Sequence, residues 1–122
     1  MAVSVDKIVE FASALERTDF VGSGSRRRLR VGSNVYAVFS EDDARMGFAY
    51  PKEERDALVA SDPTKFKQPR EGDLKYNWVV AILGGIEMDE AEELVTDAWG
   101  LVVPRFLFEA RLEATGIADG ES

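Results

Sequence analysis

Four guanidinium groups fall within five residues in the run Arg26-Arg27-Arg28-Leu29-Arg30. Guanidinium is planar and always charged, and its fork meets phosphate or carboxylate oxygens two at a time, so the chemistry offered here is anion recognition. On an extended strand Leu29 and Val31 share one face while Arg28 and Arg30 share the other. Arg45 lengthens that basic ridge if a later strand lies alongside. The competing use is an edge strand charged against sheet-to-sheet association, with the arginines matched by acidic helices. A second basic group, Lys65, Lys67, Arg70 and Lys75, is interleaved with Phe66 and Tyr76. Cations alternating with aromatics suit single-stranded nucleic acid, the cations meeting phosphates and the rings stacking on bases. The plainer reading is a solvated loop, with Phe66 and Tyr76 turned into the core.

Other chemistries are thinly represented. The 122 residues contain no His and no Cys. That removes Ser-His and Cys-His nucleophiles, His-ligated zinc, thiolate metal sites and disulfides together. Carboxylate chemistry by Glu41, Asp42 or Asp43 beside Tyr36 survives on paper, but no orienting partner can be named, so no catalysis is expected. The acids Asp89, Glu90, Glu92 and Glu93 crowd the start of a helix, where the helix dipole favours negative charge over any need for a metal. Gly22-Ser23-Gly24 and Gly84-Gly85 lack the Lys and Ser or Thr that complete a phosphate loop. No cofactor and no metal are expected. Trp78 and Trp99 could line a pocket, but packing together in one core is the simpler expectation.

These side chains need a scaffold, and the pattern supplies one. Ser4 caps a helix whose Val5, Ile8, Phe11, Ala12 and Leu15 share a face. Phe20 to Ser25 reads as a flexible connection. Arg28–Val31, Val35–Phe39 and Arg45–Tyr50 alternate as three strands of a meander, turned at Gly32-Ser33-Asn34 and Glu41-Asp42-Asp43. Pro51 starts a helix to about Ala60. Asp62 to Phe66 reads as a turn and Lys67 to Asp73 as an exposed loop. Tyr76–Leu83 is the most apolar strand and belongs inside the sheet. Asp89 caps a helix carrying Ala91, Leu94, Val95, Ala98 and Trp99, and Pro104 starts a last helix through Arg105, Phe106, Leu107, Ala110 and Leu112. The expected fold is α+β, with one antiparallel sheet (a β-meander plus one central strand) covered by helices in the order α-β-β-β-α-β-α-α.

Length and composition, 45% hydrophobic and 31% charged, suit one globular domain, assigned to residues 1–116 with a frayed tail at 117–122. No apolar run is long enough to span a membrane and the N-terminus does not read as a secretory signal, so a cytoplasmic protein without membrane contact is expected. The formal charge of −8 is uneven: residues 25–75 hold eleven basic and nine acidic side chains, residues 76–122 two basic and ten acidic. An acidic chain can still carry a locally basic face.

An ordered series of blocks carries a resemblance. Leu29-Arg30-Val31-Gly32-Ser33-Asn34-Val35-Tyr36-Ala37 forms a hairpin after an N-terminal helix. Pro51-Lys52-Glu53-Glu54-Arg55, Asp62-Pro63-Thr64-Lys65-Phe66, Asn77-Trp78-Val79-Val80 and Asp97-Ala98-Trp99 follow. In order and spacing, over about residues 4–110, the chain resembles the MmcQ/YjbR family of small bacterial proteins. The resemblance implies a fold akin to secretion-chaperone-like domains and a DNA-binding role of the double-wing type. Two functions are therefore expected to compete. One is a module binding DNA or other nucleic acid through Arg26, Arg27, Arg28, Arg30 and Arg45 with the 65–75 loop. The other is an interaction or chaperone-like domain that takes a protein partner or pairs with itself.

Overall fold

The structure, a computed structural model, describes residues 3–114. The tail assigned to residues 117–122 lies outside them. Helix α1 (Val5–Ser13) begins as its sequence requires, with the Ser4 hydroxyl accepting from the Lys7 amide at 3.2 Å. Its apolar stripe buries Val5, Ile8 and Ala12. Within the described residues six strands form one antiparallel sheet: β1 (Thr18–Val21), β2 (Arg28–Val31), β3 (Asn34–Phe39), β4 (Arg45–Ala49), β5 (Phe66–Lys67) and β6 (Trp78–Ile82). Their spatial order is β1-β2-β3-β4-β6-β5. Helices α2 (Lys52–Ser61), α3 (Met88–Gly100) and α4 (Arg105–Ala114) complete an α+β domain.

The expected meander and interior strand are present, and a short edge strand is added on each side. β1 replaces part of the flexible connection and β5 part of the turn and loop. Neither could be read locally, because four- and two-residue strands exist only through their pairing with β2 and β6. Three helix starts also shift, and Pro104 lies one position before α4 rather than inside it. Pro51 sits one position before α2 rather than inside it. α3 begins at Met88 after Glu87, leaving Asp89 in the first turn, where its carboxylate accepts from the Glu90 amide.

The β2–β3 hairpin turns on Gly32, whose φ of +60° is a conformation side chains resist. A bulge follows. Leu29 opposes Ala37 but Arg30 opposes Val35, so Tyr36 is the extra residue. Tyr36 and Ala37 are in consequence both buried, where strict alternation would have sent one outward. The core lies between one sheet face, with Leu29, Phe39, Met46, Phe48, Val79 and Ala81, and the helices, with Ile8, Ala91, Val95 and Trp99.

The bulge has a measurable consequence. The buried Tyr36 hydroxyl is pushed up to about 12 by loss of solvent, against a smaller lowering from its 2.9 Å hydrogen bond with Thr18. A group with a raised folded-state pKa supports the fold fully below its unfolded value and loses that support as pH climbs through the folded one. Stability should therefore fall between about pH 10 and 12. Urea titrations across that range are expected to show a shallower fall for Tyr36→Phe.

Candidate nucleic-acid interface on the open face of the sheet

Strand pleating places every second residue on the face away from the core. On β2 these are Arg28 and Arg30, on β3 Val35 and Val38, on β4 Arg45 and Gly47, on β6 Trp78, Val80 and Ile82, and on β5 Lys67. Most are half-buried and alternate with fully buried neighbours, while Arg45 and Lys67 are exposed. The pairing registers align one row across the whole sheet: Val21, Arg28, Val38, Gly47, Val80, Lys67. Arg28 and Lys67 thus stand four inter-strand steps apart, about 19 Å at the usual spacing. Between them lies an apolar floor.

The floor contains a depression of about 270 Å³ lined by Val35, Val38, Asp73, Tyr76 and Trp78. Gly47 makes room for it. A methyl group there would lie 2.6 Å from the Trp78 indole nitrogen, so the ring lies across a position where only glycine fits. Tyr76 is 55% exposed, and the Lys75 ammonium sits 5.3 Å above its ring centre. The segment carrying these aromatics is held from behind. Arg55 of α2, 7% exposed, donates to the carbonyl oxygens of Leu74 at 2.7 Å, Tyr76 at 3.0 Å and Trp78 at 3.1 Å. One buried guanidinium therefore fixes the backbone beneath the aromatics, a role that a lone Arg in a polar helical stretch does not advertise in sequence.

A family model described as YjbR matches residues 9–101. The chain belongs to the YjbR family. Two solved structures share the YjbR fold seen here. The Deinococcus radiodurans protein DR2400, with a DUF419 domain, is 19% identical with a TM-score of 0.71, covering 93% of this chain and 88% of its own. A protein from Pseudomonas syringae is 12% identical with a TM-score of 0.66, covering 83% of this chain and 100% of its own. No curated protein matches the chain. At these identities the likeness concerns the fold.

Within this YjbR domain the sequence candidates separate into three groups. Arg28, Arg30, Arg45 and Lys67 share the open face. Arg28 donates to the Arg26 carbonyl at 2.9 Å, while the Arg30 Nε is buried without a hydrogen-bond partner. Arg27 and Lys65 are committed elsewhere. Arg27 follows a short 3₁₀ turn (Gly24–Arg26) and binds the Gly24 and Ser40 carbonyls and, at 2.6 Å, Asp43. Lys65 pairs with Glu90 of α3 at 3.2 Å. Arg26 and Arg70 are peripheral, and Lys75 stands at the rim of the depression over the Tyr76 ring. Arg26 is exposed in the 3₁₀ turn rather than on β2, and Arg70 contacts Asp73 at 3.4 Å.

The two basic groups do not merge into one cluster, because β3, β4 and β6 lie between β2 and β5. They bracket one face instead. The two tryptophans, expected in one core, lie on opposite sides of the sheet. Trp99 is 1% exposed against the helices and Trp78 lies over Gly47. Tyr76, expected to pack inward, faces solvent, whereas Phe66 is buried as expected.

Acids are not confined to one side of the sheet, since Asp73 lines the depression and Asp19 on β1 pairs opposite Arg30, but the acids of α3 are. Asp89, Glu90, Glu92, Glu93 and Asp97 all ride on α3, behind the sheet. Among the described residues no group of acids is arranged to hold a metal ion, and no helix is long and apolar enough to cross a membrane.

Proposed function

We propose that this domain binds DNA, with a single-stranded stretch lying across the open face of the sheet. The observation that carries the reading is the coincidence, on one face, of bracketing cations and an aromatic depression. Arg28 and Arg30 on β2 meet phosphates on one side and Lys67 on the other, Arg45 on β4 stands midway, and Trp78 and Tyr76 take bases between them. The span of about 19 Å accommodates about five or six stacked nucleotides. The acids of α3 are screened from the strand by the sheet itself. In this reading the domain is a binder rather than a catalyst, and the lack of Cys suits a reducing cytoplasm.

Quenching of Trp78 fluorescence by a short single-stranded oligonucleotide is the direct test, using Trp99→Phe as background. Affinity is expected to fall steeply with salt, and the combined Arg28→Ala, Arg30→Ala, Lys67→Ala variant should lower the slope of log K against log salt by about two. Absence of quenching and of gel retardation at about 50 mM salt would end the proposal.

A protein partner or a second copy of the chain is the other reading, favoured by Leu101 and Phe106, which are 52% and 63% exposed. It predicts concentration-dependent sedimentation, or capture of proteins that survives nuclease treatment. A monomer at every concentration with no nuclease-resistant capture counts against it.

A further inference from the structure

A second cleft, of about 390 Å³, opens where the end of β4, α2, α3 and α4 meet, well within the range of small-ligand sites. Its walls are aromatic and aliphatic: Tyr50, Pro51, Leu101, Val103 and Phe108. Gly100 lets the Phe108 ring close against α3, since a methyl group there would overlap that ring. Two carboxylates, Glu54 and Asp97, complete the lining. Neither forms an ion pair among the described residues. The one cation at the rim, Arg105, is held by Glu109 at 2.8 Å.

From this lining we infer that the cleft is a binding site for a small organic cation, an ammonium group carried on an apolar body. Aromatic faces attract a cation through their quadrupole, and a desolvated ammonium gains further from carboxylates that lack a partner. An anion would meet two like charges, and a neutral molecule would leave both carboxylates unmatched on burial. The local electrostatics agree. The Tyr50 hydroxyl is raised by burial and then by Glu54 and Asp97, and Asp97 is itself raised by burial and then by Glu93. Both carboxylates are open to solvent, and Arg105 is the cation in the lining beside them. This site shares no lining residue with the depression at Trp78, so it stands or falls independently of DNA binding.

The test is amide NMR titration of the full chain with three phenethyl probes: phenethylamine, its neutral alcohol counterpart and hydrocinnamate. Phenethylamine is expected to shift the amides of Tyr50, Leu101 and Phe108 and to bind about tenfold more tightly than the alcohol, with hydrocinnamate weakest. Asp97→Asn and Glu54→Gln should each weaken the amine by about threefold or more, leave the alcohol unchanged and retain the wild-type circular dichroism. Equal binding of amine and alcohol, shifts confined to other residues, or variants that bind the amine as well as the parent would each overturn the inference.

Discussion

Arg55→Ala is expected to lower the unfolding free energy by about 3 kcal/mol or more and to abolish the aromatic depression with it. The side chain is 7% exposed and supplies three hydrogen bonds to the carbonyls of Leu74, Tyr76 and Trp78. Bonds from a charged donor are stronger than neutral ones, and carbonyls left in a part-buried site keep their desolvation cost. Water can reach the Leu74 and Tyr76 ends, which are exposed, so the three contributions will not add in full. Arg55→Lys separates charge from geometry. An ammonium has no planar fork and cannot span three carbonyls, so Lys should recover only part of the loss. Urea denaturation gives the stability, and oligonucleotide quenching of Trp78 gives the effect on the face. An Arg55→Ala protein as stable as the parent would remove Arg55 from its anchoring role.

Trp99→Ala is expected to cost about 3–5 kcal/mol, as befits the largest fully buried side chain of the core. Its ring lies 6.4 Å from that of Phe108, and its indole nitrogen donates at 2.8 Å to the Glu16 carbonyl, tying α3 to the segment between α1 and β1. Removal opens a cavity that surrounding helices can only partly close, and it orphans a part-buried carbonyl. Trp99→Phe should cost about half as much, since most of the volume stays and only one hydrogen bond is lost. A loss under about 1 kcal/mol for Ala would mean that α4 and α1 repack over the site. Trp99→Phe also leaves Trp78 as the sole tryptophan, so its emission then reports on the open face alone.

The amphipathic spacing of α1 and the alternation Arg28-Leu29-Arg30-Val31 were legible because both are local repeats tied to backbone geometry. So was the outward direction of Arg28 and Arg30, which the structure reproduces. The bulge at Tyr36 was not, since an extra residue leaves no mark in composition and becomes visible only when β2 is laid beside β3. The same holds for β1 and β5, whose few residues become strands by hydrogen-bonding to neighbours far away in the chain. For the candidate face, residue types were readable but availability was not. Arg27 and Lys65 looked as free as Arg28 and Lys67, yet Asp43 and Glu90 occupy them.

Sequence alone determined the four helices and the longer strands, the core-facing side of β2 and the chemistries that lack of His and Cys removes. Those follow from side-chain type and from repeats of two or 3.6 residues, which every short segment carries in itself. Tertiary structure decided the strand order that sets β2 and β5 at opposite ends of one face, and the side of the sheet each tryptophan occupies. It also decided that Arg55 reaches back to hold the 74–78 backbone. Each of these depends on contacts between residues distant in the chain, and no local pattern encodes a partner that arrives only when the sheet closes.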